Sequence, residues 1–117
     1  MPSENKLLEL SIEFAVAAVE LVDSIKFPKS GYMLDQFARS STSVGANIHE
    51  AQYAQGRRDF VSKLEIALKE ANESSYWLTI MLRTKRITQE QYNAVESLCG
   101  RIKRMLIASC RTVKDKI

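Results

Sequence analysis

Residues 88–113 read TQEQYNAVESLCGRIKRMLIASCRTV, and within them Tyr92, Val95, Cys99, Ile102, Leu106, Ser109 or Cys110, and Val113 recur at alternating spacings of three and four. That alternation is the mark of a helix with one apolar stripe, and its near-heptad period suits the shallow crossing angles of a bundle. Thr88 and Gln91 stand at the spacing of a capping box, which sets the start of the helix. Working outward, Arg86 to Gln91 is a stop and restart. Before it, Phe60, Leu64, Ala67, Leu68, Ala71, Leu78, Met81 and Leu82 mark a third helix running from beyond Gly56 to Arg83. A second helix is expected from Tyr32 to Ala54, with Leu34, Phe37, Ala38, Val44 and Ile48 apolar. The first, from Glu4 to Lys26, carries Leu7, Leu8, Phe14, Ala15, Ala18, Leu21, Val22 and Ile25, has Ser3 as its expected N-cap and stops at Phe27-Pro28-Lys29-Ser30-Gly31.

Four long helices with short connections pack most simply as an antiparallel up-and-down four-helix bundle, so the expected fold is all-α, a single domain over residues 1–117. Only 4 Gly and 2 Pro are present, too few turn residues for the many short strands of a sandwich or barrel.

Charge is unevenly placed. Residues 1–80 hold 8 Lys and Arg against 11 Asp and Glu, whereas residues 81–117 hold 9 against 3, so a net −3 is followed by a net +6. Arg83, Lys85, Arg86, Arg101, Lys103, Arg104, Arg111 and Lys114 form the basic excess, a field that attracts polyanions such as RNA or DNA. A solvated helix face is the competing reading. Single-strand binders interleave rings with cations, and here Tyr76 and Trp77 stand apart from the basic segment, so contacts with phosphates rather than base stacking are expected.

Chemistry is not written in the chain. His49 is the sole histidine and no Glu-x-x-His exists, which removes the ferritin-like di-metal site. No phosphate-binding glycine loop occurs. Glu50, Glu65, Glu70 and Glu73 as a cation cluster is a weak alternative, because glutamates are ordinary on helix surfaces. The expectation is a non-enzymatic protein with no metal and no cofactor. Cys99 and Cys110 are about 16 Å apart along one helix, too far to bridge, and read as small buried hydrophobes of a reducing compartment. Residues 1–5 lack the layout of a signal peptide and no apolar run reaches membrane-spanning length, so a cytoplasmic protein with no membrane partner is expected.

The segment 39–51, RSSTSVGANIHEA, is the least ordinary. Helix-poor Ser, Thr, Gly and Asn collect in the middle of a helix, where glycine alone costs about 1 kcal/mol relative to alanine. Ser40, Ser43, Asn47 and Glu50 share one face, with Arg39 beside it. Small side chains let helix backbones approach closely, so a tight contact with a hydrogen-bonded polar layer is favoured over a ligand site, and Asn47 and Glu50 are expected inside that layer. Trp77 is expected as a core or subunit-interface anchor.

Leu34, Arg39, Ser40, Ser43, Asn47, Ile48 and Glu50 on the second helix, followed by Asp59, Phe60, Leu64, Ile66, Ala67 and Glu73 on the third, give a pattern that resembles a known family. It is similar to the bacterial four-helix-bundle proteins encoded in intervening sequences of large-subunit ribosomal RNA genes, which in turn resemble the accessory protein of diversity-generating retroelements. The chain departs from that pattern at Glu50-Ala51, where many members have Glu-Gly, and at Lys69-Glu70-Ala71-Asn72-Glu73, where many have Gly-Ser before the glutamate. The resemblance implies an up-down bundle assembled into a ring-like homopentamer with a basic surface, and it does not imply catalysis. A homo-oligomer that contacts nucleic-acid phosphates is therefore expected, and a module that binds another protein is the alternative.

Overall fold

Helices α1 (Pro2–Ser24), α2 (Gly31–Ala51), α3 (Arg57–Arg83) and α4 (Gln89–Lys114) follow one another through short connections. The computed structural model describes the backbone of residues 2–27 and 29–116, with side chains from residue 6 onward in that range. Helix α1 already begins at Pro2, so Ser3 lies inside its first turn rather than at the expected N-cap, and Pro28, expected as the breaker, lies outside the described residues. Consecutive helices pack on one another and α4 closes the square onto α1, which makes an up-and-down bundle with extents of 48 × 22 × 19 Å. The long axis matches the length of a 27-residue helix, about 40 Å, plus its connections.

Thr88 and Gln91 cap α4 reciprocally: Thr88 Oγ1 accepts from the Gln91 N–H at 3.1 Å and Gln91 Oε1 accepts from the Thr88 N–H at 2.8 Å. Helix α2 stops at Ala51 rather than Ala54. Residues 52–54 form turns in which each N–H reaches the carbonyl three residues back, a tightening that satisfies the last carbonyls of the helix. Helix α3 ends in a Schellman motif, with the Arg86 N–H on Met81 O at 2.9 Å and the Lys85 N–H on Leu82 O at 3.0 Å. Lys85 therefore occupies the left-handed position, at φ 61°, where glycine is the usual residue.

The core is one continuous cluster in which Phe14, Phe37, Leu64, Leu78, Ile102 and Leu106 are buried from all sides. The α4 stripe is buried as spaced, at Val95, Cys99, Ile102, Leu106 and Cys110. The other helices are rotated slightly from the apolar count. Helix α1 buries Leu10 and Ser11, and α2 buries Met33, Ser40 and Ser41 while Leu34 and Ala38 are half-buried. Serine enters the core because its hydroxyl bonds the carbonyl a turn back: Ser11 to Leu8 O at 2.6 Å, Ser41 to Phe37 O at 2.7 Å, Ser74 to Glu70 O at 2.9 Å.

Gly45 explains part of the unusual segment. A Cβ placed on it would lie 3.0 Å from Ser11 Oγ, so the absence of a side chain is what lets α1 and α2 approach there.

Candidate functional site

The basic residues divide into two regions. On α4, Arg101, Arg104 and Arg111 are exposed. Arg101 lines a shallow groove against α1 in company with Glu9 and Glu13. Lys103 is half-buried and pairs with Glu96 at 3.6 Å, and Lys114 pairs with Glu65 at 2.7 Å, so these two spend their charge inside the molecule. Arg83 and Lys85 are exposed at the end of α3. Arg86 is half-buried, its Nε donating to Ser30 Oγ at 2.7 Å and its guanidinium carbon 5.8 Å from the centroid of the Phe27 ring. About 22 Å of helix separates the start of α4 from Arg104.

The polar stripe on α2 is a cross-helix network at one end and an open surface at the other. Arg39 Nη1 donates to Glu70 at 2.6 Å and Nη2 to Glu73, and Trp77 Nε1 donates to the same Glu73 carboxylate at 3.2 Å. The hydrogen bond from Arg39, aided by that from Trp77, holds the Glu73 carboxyl below its ordinary range, and the two glutamates raise Arg39. Beneath this network Ser40 and Ser74 share a buried hydrogen bond of 2.9 Å. Ser43 is half-buried, and Asn47 lies outside the layer, its Nδ2 donating to Ser43 O of its own helix at 2.8 Å. Glu50 is exposed. The expectation of a buried layer reaching Asn47 and Glu50 is thus corrected: the layer stops at Ser40, because beyond it the stripe turns from α3 toward solvent. Glu70, Ser74 and Ser11, the partners in these contacts, carry no sequence signal beyond their helical spacing.

The carboxylates do not converge. Glu65 is held by Lys114, Glu70 and Glu73 by Arg39, and Glu50 faces solvent, and among the described residues no group of three His, Cys, Asp or Glu is placed to hold a metal ion. Both cysteines are free and buried, and burial pushes both thiols up, away from the reactive thiolate. A cleft of about 250 Å³ at the end where α2 gives way to α3 is lined by Leu7, Ile48, Phe60, Leu64 and Val113, with only Gln52, Ser109 and Thr112 as polar company. Among the described residues no charged group lines it. No helix among the described residues is long and apolar enough to cross a membrane.

Outside the core, α1 keeps an exposed apolar stripe of Ile12, Val16 and Val19, which are 47%, 53% and 43% accessible. A helix apolar on both sides is unusual at the surface of a soluble bundle.

A crystal structure of a protein of unknown function from the S23 ribosomal protein family of Bacteroides thetaiotaomicron VPI-5482 is 43% identical in sequence and superposes with a TM-score of 0.85, covering 93% of this chain and 98% of that one. No curated protein matches. The model of the 23S rRNA-intervening sequence protein family matches residues 3–108, from the first turn of α1 through most of α4. Sharing both that match and the four-helix architecture, the chain belongs to the 23S rRNA-intervening sequence protein family.

Proposed function

We propose that the protein is a non-catalytic, self-associating scaffold that contacts nucleic-acid phosphates through its basic surface. One observation carries the reading: Arg83, Lys85, Arg101, Arg104 and Arg111, from the +6 third of the chain, are exposed and form no ion pair among the described residues. Cations kept free in this way supply a field for phosphates, and repeating them around an oligomer multiplies avidity without any new contact. Self-association is supported by the α1 stripe and by the family resemblance, which implies five copies.

Binding to RNA duplex and to oligouridine, titrated against salt, tests the reading. Affinity is expected to fall steeply with salt. Changing Arg101, Arg104 and Arg111 together to Glu is expected to weaken binding to both by roughly tenfold or more while circular dichroism stays helical. Undiminished binding by the triple variant would remove α4 from the interface. Light scattering is expected to give a multiple of the 13.3 kDa chain mass, five by resemblance, and Val16→Glu to shift it toward the monomer. A monomeric wild type defeats the scaffold reading. The second reading, a module that binds another protein, is favoured by the α1 stripe and wins if the oligomer is intact but no nucleic acid binds even at low salt.

A further inference from the structure

We propose that the loop end of the bundle grips single-stranded nucleic acid, with Lys29, Lys85 and Arg83 on phosphates and Phe27 stacking an unpaired base. This rests on the phosphate-binding reading above and names both a place and a class of ligand. Antiparallel alternation brings the α1–α2 and α3–α4 connections to one end. Residues 25–30 and 83–88 together carry Lys26, Lys29, Arg83, Lys85 and Arg86 and no carboxylate; the nearest acids in sequence are Asp23 in the last turn of α1, Glu90 in the first turn of α4 and Asp35 in the second turn of α2, so cations outnumber acids at this end. Among the described residues none of these five cations is in an ion pair, in contrast to Lys103 and Lys114 on α4.

Arg86 makes the two connections one surface. Its Nε bonds Ser30, which is buried to 2% exposure, and its guanidinium lies over Phe27, while neither Nη group is hydrogen-bonded among the described residues. Phe27 is 52% exposed. An exposed ring beside a fixed guanidinium and a ring of free cations is the combination that single-strand binders use, since any base has a face to stack and the backbone follows the charge. Phe27 and Arg86 are 59 residues apart in the chain, so only the fold places them together. Both non-glycine residues with positive φ in the described chain are lysines of this end, Lys29 at 65° and Lys85 at 61°. Glycine would sit there without strain, and lysine at both positions keeps two charges at the tip at a cost in backbone energy.

That strain supplies a clean test. Lys29→Gly with Lys85→Gly removes both charges from positions glycine prefers, so the melting temperature is expected to stay level or rise, and lost binding cannot be put down to unfolding. Fluorescence anisotropy with labelled oligouridine is expected to show roughly tenfold weaker binding for this double variant and a log K against log salt slope shallower by about one to two. Phe27→Ala is expected to weaken oligouridine roughly tenfold and leave an RNA duplex of the same length unchanged, because a paired base offers no free face. The α4 triple variant should weaken strand and duplex alike. Loop variants that bind oligouridine as tightly as wild type, while the α4 variant does not, would overturn this inference and leave the phosphate reading standing. A wild type that binds neither strand nor duplex at low salt would overturn both.

Discussion

Gly45→Val is expected to destabilise the bundle by about 2–3 kcal/mol, the range of an overpacked core position. A Cβ at Gly45 alone reaches to 3.0 Å from Ser11 Oγ, and valine adds two methyl groups to it. Ser11 has nowhere to go: it is completely buried and its hydroxyl is tied to Leu8 O at 2.6 Å. Valine's better helix propensity returns only about half a kcal/mol. Urea denaturation of the single variant measures the cost, and Ser11→Gly in the same chain is expected to recover much of it despite the cost of a second helical glycine. A Gly45→Val protein as stable as its parent would mean that α1 can shift away from α2 freely, and the close approach would lose its importance.

Arg39→Leu is expected to cost about 1–2 kcal/mol at neutral pH, a figure discounted for the partial exposure of the pair, and much less near pH 3. Glu70 has only 13% of its side chain exposed and loses its only salt-bridge partner among the described residues in the variant, as does Glu73. The sign of the pH dependence follows from Glu73, whose carboxyl is held low in the folded protein, first by Arg39 and then by the Trp77 N–H. A carboxyl held low contributes stability that is fully present above its unfolded value, about 4.3, and is lost as pH falls through the depressed folded value. The wild type should therefore lose its advantage over Arg39→Leu as acid is added. Trp77 is the only tryptophan and bonds the titrating group, so its emission reports the same transition directly. A variant penalty constant from pH 7 to pH 3 would show that Arg39 acts through its packed carbons and not its charge.

The helices were legible for definite reasons. The three-and-four spacing from Val95 to Cys110 names the buried face of α4 without help from any other part of the chain, and Thr88 with Gln91 names its first turn. Local bonds make these features, so local sequence carries them. The α2 core was less so. An apolar count favours Leu34 and Ala38, whereas the helix buries Met33, Ser40 and Ser41, because a serine that bonds its own helix carbonyl behaves as a small, nearly satisfied side chain. Hydrophobic pattern cannot register that.

What the sequence alone determined about this protein is its all-α bundle, the basic excess of its last third and the family to which it belongs. Which charges remain free was decided only by tertiary structure. Lys114 looks no different in sequence from Arg104 and Arg111, yet it meets Glu65 of α3 across the bundle, while Lys103 meets Glu96 two turns back on its own helix and the two arginines form no ion pair among the described residues. Arg39 likewise reaches Glu70 and Glu73 more than thirty residues away, and Arg86 reaches Ser30 and Phe27 across two loops. The physical reason is one of range: helix formation depends on neighbours within four residues, whereas the partner of a charge depends on which helix faces arrive side by side, and that is known only once the chain has closed on itself.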